Sequence, residues 1–255
     1  MTRVLKLGGR TQGSTELLDA IVAAWTARHS DLCLVHGGGD EISALQRALG
    51  IEPLFVGGRR ATTARDLELV RMALSGGANK RLVTALVDRG VAAWGISGED
   101  AGLLQATPLQ SHELGLAGEP AKVNAAPLRL LLERGYLPVV SPLARNAAGT
   151  GALNVNGDDA AAALAAAIGA EELVFVSDVA GVAGMTGDIH THLSIADARE
   201  LIAAGVASGG MAAKLEAAGR ALEGGVRRVR IAGIAAINDS TAGTVIAVGA
   251  PGALV

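Results

Sequence analysis

The chain has 255 residues, half of them hydrophobic, and carries a formal net charge of -3. This length fits one large α/β domain or two lobes that share a sheet. The near-neutral charge and the 2% aromatic content argue against a nucleic-acid partner, which needs a basic surface and stacking side chains. Mean hydropathy is high, at +0.38, yet no apolar run is long enough to span a membrane. The single cysteine, Cys33, excludes an internal disulfide and favours a reducing, cytoplasmic setting.

In chain order, the apolar patterns predict strands alternating with helices. The predicted strands are 4–7, 32–35, 91–96, 137–141, 173–177, 229–231 and 244–248. The predicted helices are 14–28, 40–49, 64–75, 80–89, 126–134, 159–168, 194–204 and 211–223. Residues 51–63 are predicted to form a hairpin or lid, 97–124 an irregular segment with further hairpins, and 179–192 a glycine-rich loop. Repeated strand–turn–helix units indicate an α/β fold with a mainly parallel central sheet covered by helices on both faces.

The first predicted strand carries a lysine, Lys6, and Gly8 and Gly9 follow almost at once. A buried ammonium is costly unless an anion meets it, and glycines let backbone N–H groups approach that anion. The segment therefore indicates a phosphate-handling lysine at the carboxyl end of a parallel strand, where open α/β sheets bind ligands. The alternative is an edge-strand lysine that reaches water before an ordinary turn.

Two further glycine-rich segments favour anion binding. His36-Gly37-Gly38-Gly39 lies between a predicted strand and a helix, and a helix N-terminus offers unpaired N–H groups to an oxyanion or phosphate. The alternative is a tight β-to-α turn. Arg59 and Arg60 lie in a glycine-hinged loop, where a guanidinium can hold a carboxylate through two hydrogen bonds. Solvated loop charges are the alternative there.

The segment Asn154-Val-Asn156-Gly-Asp158-Asp159 precedes an alanine-rich helix. Extended backbone places alternate residues on one side, so the two amides suit substrate groups and Asp158 suits the orientation of lysines. The alternative is helix capping by Asp158 or Asp159, and two adjacent aspartates can divide these roles.

Two segments of the second half suit a nucleotide. Ser177 and Asp178 end a predicted strand and open the loop that contains Gly184, a reasonable adenine or ribose rim and equally a plain turn. Lys214 lies one turn into a helix after paired glycines, where the alternative is an ordinary surface lysine.

In this order and spacing, the segments resemble the amino acid kinase family over nearly the whole chain. The resemblance is carried by Lys6-Leu-Gly-Gly9, Val35-His-Gly-Gly-Gly39, Gly58-Arg-Arg60-Ala-Thr62, Asn79-Lys80, Gly95-Ile-Ser-Gly98, Gly118-Glu119, Val123-Asn124, Asn154-Val-Asn-Gly-Asp158, Ser177-Asp-Val-Ala-Gly181, Gly210-Met-Ala-Ala-Lys214 and Gly243-Thr-Val-Ile246. It implies the amino acid kinase fold, a three-layer αβα sandwich. It also implies transfer of the γ-phosphoryl group of MgATP to the side-chain carboxylate of N-acetyl-L-glutamate, an early step of arginine biosynthesis.

The resemblance implies a role for each site residue. Lys6 and Lys214 are expected to neutralise the transferring phosphoryl group while Asp158 holds both lysines. The glycines expected to donate N–H groups to phosphate and substrate oxygens are Gly8, Gly9, Gly37, Gly38 and Gly39. Arg60 is expected to bind the α-carboxylate, and Asn154 and Asn156 the acetylamino group. The residues expected to line the ATP site are Ser177, Asp178, Gly184 and Met211. A carboxylate acceptor is already ionised at neutral pH, so no general base is expected. Magnesium is expected to arrive with ATP, held mainly by its phosphates, without a protein metal site.

The resemblance also implies one domain over residues 1–255. Its N-terminal lobe, about 1–150, binds the amino acid and dimerises, and its C-terminal lobe, about 151–255, binds ATP. Arginine-inhibited hexamers of the family carry an extra N-terminal helix, and this chain begins at the first strand, so we expect a homodimer without arginine feedback. Departures from the family pattern at Arg59, Ala101, Gly157 and Ala212-Ala213 leave the acyl group open. N-succinylglutamate, a carrier-linked aminoadipate and a non-catalytic nucleotide or amino acid sensor stay as alternatives.

Overall fold

The structure is a computed structural model that describes residues 2–8, 12–28 and 31–249. Its strands are β1 (Arg3–Leu7), β2 (Leu32–His36), β3 (Phe55–Val56), β4 (Arg59–Arg60), β5 (Ala93–Ser97), β6 (Leu104–Pro108), β7 (Ala117–Val123), β8 (Leu137–Ser141), β9 (Leu143–Asn146), β10 (Ala152–Val155), β11 (Glu172–Val176), β12 (His192–Ser194), β13 (Arg228–Ala232) and β14 (Thr244–Ala247). The α-helices are α1 (Thr15–Arg28), α2 (Gly39–Ala48), α3 (Ala64–Arg71), α4 (Asn79–Val87), α5 (Ala126–Glu133), α6 (Gly157–Ile168), α7 (Ile195–Ala203) and α8 (Gly209–Glu223). A π-helical stretch, Met72–Ala78, joins α3 to α4, and short 3-10 helices cover Asp100–Gly102 and Ile234–Ile237.

The central sheet has the strand order β12-β14-β13-β11-β1-β2-β8-β5. The strands from β13 to β5 are parallel, while β14 runs antiparallel to β13 and β12 runs parallel to β14. The prediction of a mainly parallel sheet is confirmed. Strand β1 lies in its interior, where Lys6 pairs with Val35 on one side and Phe175 on the other. The edge-strand interpretation of Lys6 is therefore wrong.

Helices cover both faces of the sheet, as the sequence predicts. Val4 and Phe175 face a hydrophobic cluster that includes buried residues of α6 and α8. The adjacent residues Leu5 and Val174 face a second cluster, which includes residues of α1 and α4. Because side chains alternate along a strand, Lys6 points to the same face as Val4, toward α6 and α8.

A second, small closed sheet is formed by β10, β7, β6 and β9. The predicted hairpin in 97–124 is present as the antiparallel pair β6 and β7, whereas β9 and β10 were missed. Strand β10 pairs with β7 through Asn154 and Ala117, so this sheet includes residues on both sides of position 150. The division into two lobes at that position stays a prediction.

Several element boundaries differ from the predicted ones. The predicted break between 75 and 80 is wrong, because the π-helical stretch carries the chain through Gly76 and Gly77 into α4. Helix α6 begins at Gly157 instead of 159, because the side chain of Asn156 caps it by accepting the amide of Asp158 at 2.8 Å. The interpretation that Asp158 or Asp159 caps this helix is therefore wrong. The predicted hairpin at 51–63 is confirmed as β3 and β4, and β12 is an unpredicted strand.

Candidate active site

Three charged side chains meet at the carboxyl end of β1. Asp158, in the first turn of α6, places Oδ1 2.8 Å from Nζ of Lys6, and its Oδ2 lies 3.7 Å from Nζ of Lys214 on α8. The side chains of Lys6 and Asp158 are 10% and 7% exposed. At this depth an ammonium needs a counter-ion, and one carboxylate serves both lysines. The structure thus brings together three residues that are far apart in the sequence.

The local backbone explains how these groups come so close. A Cβ on Gly157 would lie 3.3 Å from Cε of Lys6, so glycine leaves the lysine its room. Lys214 also donates to the carbonyl of Gly210, at 3.3 Å, within its own helix. Burial lowers the pKa of Lys214, the charge of Asp158 opposes this, and the charge of Lys6 adds to it. The interpretation of Lys214 as an ordinary surface lysine is wrong, since its side chain is only 15% exposed.

A cavity of about 220 Å³ opens beside this charged group. The predicted site residues that line it are Lys6, Gly37, Gly38, Gly39, Arg60, Asn154, Asn156 and Asp158. The cavity also has an apolar wall that was not predicted, which includes Ile42, Phe55, Leu74, Leu109 and Pro142. Isolated apolar residues carry no sequence signal that separates a cavity wall from a core.

Arg60 is fixed against helix α2 by several contacts. Its Nη2 donates to the carbonyl of Gly39 and to Oγ of Ser43, both at 2.8 Å, and Nη1 donates to Oε1 of Gln46. The guanidinium also lies over the Phe55 ring, 4.7 Å from its centroid. Burial lowers the pKa of Arg60, and an arginine so shifted still stays cationic. Arg60 is 7% exposed, so the interpretation as a solvated loop charge is wrong for it.

The two asparagines on the pocket wall differ in how many groups they can offer. Asn154 donates from Nδ2 to Oγ1 of Thr62 at 3.1 Å, which ties β10 to the segment after β4. Asn156 uses its side-chain oxygen as the cap of α6. Its Nδ2 group is therefore the part of Asn156 suited to contact a ligand.

The glycine turns contribute less donor capacity than the sequence predicts. The amide of Gly8 donates to the carbonyl of Val176 at 3.1 Å, and the amide of Gly37 donates to the carbonyl of Leu7 at 3.1 Å. The prediction that these two amides donate to ligand oxygens is therefore wrong, because both already donate to carbonyls of neighbouring strands. Gly38 and Gly39 sit at the N-terminus of α2, where the helix itself leaves the first amides unused. Gly9 lies outside the described residues.

The residues predicted for ATP lie outside the 220 Å³ cavity. Ser177 and Asp178 directly follow β11, which neighbours β1, and Oγ of Ser177 lies 3.2 Å from Oδ1 of Asp178. The charge of Asp178 acts on Lys214, and Met211 lies in the first turn of the same helix. Gly184 lies in the loop after β11, where a Cβ would come within 2.6 Å of Nε2 of His190. Their assignment to ATP stays a prediction.

Residues 2–8, 12–28 and 31–249 contain neither a candidate metal site nor a candidate membrane span. No group of three or more His, Cys, Asp or Glu side chains there could hold a metal ion. None of the helices in this part of the chain is both long enough and apolar enough to cross a bilayer.

The fold and the site together define an α/β protein with two lysines on one carboxylate at the carboxyl ends of parallel strands, an arrangement suited to phosphoryl groups. A family model described as "Amino acid kinase family" matches residues 1–233. The chain belongs to the amino acid kinase family.

Curated relatives and solved structures cover most of the chain. A protein of Ruegeria sp. (strain TM1040) named acetylglutamate kinase is 42% identical over 231 residues, which are 89% of this chain and 80% of that protein. A protein of Chloroflexus aurantiacus with the same name is 42% identical over 238 residues, 92% of this chain and 93% of that one. The structure of smu.665 from Streptococcus mutans UA159 has a TM-score of 0.87 at 27% identity and covers 97% of this chain and 99% of its own. N-acetylglutamate synthase from Neisseria gonorrhoeae, complexed with coenzyme A and N-acetyl-glutamate, has a TM-score of 0.81 at 27% identity; the match covers 98% of this chain and 60% of that one.

Proposed function

We propose that this chain transfers the γ-phosphoryl group of ATP to the side-chain carboxylate of N-acetyl-L-glutamate, forming an acyl phosphate in arginine biosynthesis. The observation that carries the proposal is the Lys6–Asp158–Lys214 group at the edge of a small cavity that also contains Arg60. The names of the relatives, acetylglutamate kinase at 42% identity, support the choice of substrate.

The charged group suits phosphoryl transfer, which depends on positioning and on neutralising charge. Negative charge spreads over the oxygens of the moving phosphoryl group, and Lys6 and Lys214 approach that region from two different elements. Asp158 keeps the two ammonium groups in place and offsets part of their mutual repulsion. The acceptor carboxylate is ionised at neutral pH, so the reaction needs no general base.

The cavity suits a small N-acylated amino acid. Arg60 presents a fixed guanidinium for the α-carboxylate, because α2 and Phe55 already hold it in place. Asn154 and Asn156 offer amide groups for the acetylamino part, and the apolar wall suits the methyl and methylene groups. Gly38 lies so close to Leu74 that a Cβ there would come within 2.5 Å of Leu74 Cδ2, so only glycine fits at this point of the cavity wall.

The nucleotide belongs on the Lys214 side of the site. We assign it to Ser177, Asp178, Gly184 and Met211, with the backbone at Gly8 near its phosphates. Magnesium comes with ATP and is held mainly by the phosphate oxygens, where it would offset their charge.

The chain is further proposed to act as a cytoplasmic homodimer, joined at the edge of the sheet that β5 forms. Strand β5 ends the sheet there, and its Trp94, 49% exposed, makes an edge-to-face contact with Tyr136 at 5.1 Å. Met72 on the adjoining π-helical stretch is 61% exposed. A second copy would cover these apolar side chains and extend the sheet. Sedimentation analysis tests this: the wild type should be dimeric and Trp94→Glu monomeric, and a monomeric wild type refutes it. The buried thiol of Cys33 suits a reducing compartment.

Trapping the product with hydroxylamine tests the reaction directly. Purified protein is incubated with MgATP and, in parallel, N-acetyl-L-glutamate, N-succinyl-L-glutamate, free glutamate and aspartate. Hydroxamate formed only with the acetyl compound, in step with ADP, supports the proposal. A preference for the succinyl compound keeps the chemistry and changes the substrate. ATP binding without turnover on any of them refutes the proposed reaction and points to a carrier-linked substrate or a sensor.

A further inference from the structure

The two adjacent aspartates of α6 turn to different partners. Asp158 pairs with the two lysines, whereas Asp159 pairs with two arginines. Its Oδ2 accepts a hydrogen bond from Nη1 of Arg59 at 2.9 Å, and its Oδ1 accepts one from Nη2 of Arg220. The side chain of Asp159 is 4% exposed, which makes it one of the most deeply buried carboxylates near the site. Each aspartate therefore joins one cation from the N-terminal half of the chain to one cation from α8.

Arg59 and Arg60 form the short strand β4, and they leave it in different directions. Arg60 reaches α2 at Gly39 and Ser43, and Arg59 reaches the start of α6. The hairpin of β3 and β4 is thus held at two points, and both arginines line the cavity. Loss of either contact would free the hairpin to move relative to the cavity.

Helix α8 is also attached at two points to the start of α6. Lys214 lies near Asp158, and Arg220, six positions further along, contacts Asp159. Six residues of helix span about 9 Å. The carboxylate of Asp159 therefore links the hairpin on the cavity side to the helix that carries Lys214.

We infer that Arg59, Asp159 and Arg220 are positioning residues, which hold the β3–β4 hairpin and helix α8 in fixed relation across the site. The inference rests on the proposed function for its kinetic part, because Arg60 is the residue whose placement the hairpin controls. None of the three is assigned a contact with reacting atoms. Their contribution is the geometry of the amino acid pocket.

The kinetic test compares Arg59→Met, Arg59→Lys and a matched control. Arg59→Met should raise the KM for N-acetyl-L-glutamate about tenfold while kcat and the KM for ATP stay within about threefold, because a displaced Arg60 weakens binding of the amino acid alone. Arg59→Lys, which keeps a cation for Asp159, should fall between wild type and Arg59→Met. The control Arg199→Met removes the exposed ion pair between Arg199 and Glu223 and should change neither kcat nor either KM. An unchanged KM in Arg59→Met overturns the kinetic part.

Hydrogen exchange tests the same bridge in the ligand-free protein, so it stands even if the wild type transfers no phosphoryl group. The reporter is the hairpin amide of Ala61, which donates to the carbonyl of Leu54 at 2.9 Å. Arg59→Met and Asp159→Asn should speed exchange in residues 54–61 about tenfold, and Arg220→Met should do so in α8. Unchanged exchange in these segments, or equal acceleration across the whole chain, overturns the inference. No turnover by the wild type alongside local acceleration refutes the proposed function alone.

Discussion

The side-chain amide of Asn79 donates to Nε2 of His36 across 3.1 Å, at a depth where the two residues are 1% and 0% exposed. Nδ1 of His36 lies 2.8 Å from the carbonyl of Gly37, which can only accept, so Nδ1 carries the proton and the ring is neutral. Gln12 donates to the same carbonyl at 2.9 Å. The glycine turn at the cavity is thus held by a buried imidazole that the proposed chemistry does not use.

This histidine should make stability depend on pH. Burial lowers the pKa of His36 from 6.5 to about 4. Between these values the unfolded chain binds a proton that the folded chain refuses, so stability falls as pH drops through this window. The loss between pH 7 and pH 5 should be about 2 kcal/mol. Urea unfolding at both pH values measures it: His36→Gln should lose that part of the slope, and the exposed His112→Gln should keep it. Equal slopes in wild type and His36→Gln contradict the prediction.

Removing either lysine of the charged group should slow turnover more than it weakens binding. In Lys6→Met and Lys214→Met, kcat should fall about a hundredfold or more, because a fixed charge near the phosphoryl group is lost. Each KM should change far less. Steady-state hydroxamate formation gives these values, with the exposed Lys122→Met as the control. If either variant keeps its activity, the proposed role of that lysine is wrong.

Lys214 should also limit activity at alkaline pH. Burial, as the largest effect, lowers the pKa of Lys214 below its usual 10.5. The ammonium must be charged to neutralise a phosphoryl group, so kcat should decline on the alkaline side earlier than an ordinary lysine allows. A pH profile of kcat tests this, and Lys214→Arg, whose charge persists, should shift the decline upward. A flat profile up to the ordinary lysine range argues against it.

Arg60 should govern affinity for the amino acid. Arg60→Lys keeps a positive charge but cannot span Gly39, Ser43 and a substrate carboxylate together. The KM for N-acetyl-L-glutamate should rise about 10- to 100-fold with a smaller effect on kcat. The exposed Arg65→Lys in α3 provides the comparison. An unaltered KM removes Arg60 from the binding site.

Glu172 should matter for stability and leave activity intact. Its carboxylate accepts hydrogen bonds from Nε of Arg230 at 2.7 Å and from Nε of Arg3 at 2.9 Å, at the amino ends of the strands. Burial alone raises the pKa of Glu172, yet the hydrogen bond from Arg230 and the charges of the arginines outweigh it and lower the value. Glu172→Gln leaves these arginines unbalanced and should cost about 3 kcal/mol in the free energy of unfolding. Thermal unfolding tests this, and the exposed Glu223→Gln should be neutral. If kcat of Glu172→Gln fell together with its stability, the prediction that Glu172 affects stability alone would be wrong.

The order of elements and a buried, ion-paired Lys6 were predictable because strong local signals mark them. Apolar strands end at glycines, and an unpaired-looking Lys6 within such a strand requires an anion nearby. Asp158 was predictable as its partner only through the ordered motif set. The segment alone equally favoured a helix cap, and Asn156 turned out to perform that role.

The remaining features depend on contacts that no local pattern encodes. Strands β9 and β10 are stable because they close a small sheet with β6 and β7. The amides of Gly8 and Gly37 were predicted to donate to ligands, but carbonyls at the ends of strands β11 and β1 accept hydrogen bonds from them. The division of labour between Asp158 and Asp159 follows from where α8 and the hairpin pack, which the sequence of α6 cannot show.

Strand β1 is synthesised well before one of its two neighbours, β11, which comes from far along the chain. Arg3 and its partner Glu172 are 169 positions apart. At ordinary rates of translation, about 10 to 30 seconds separate their appearance. During that interval the nascent chain can pair β1 with β2 on one side only, and the other edge stays open to foreign strands. The ribosome-bound chain therefore has a defined period in which chaperones that shield strand edges should improve its yield.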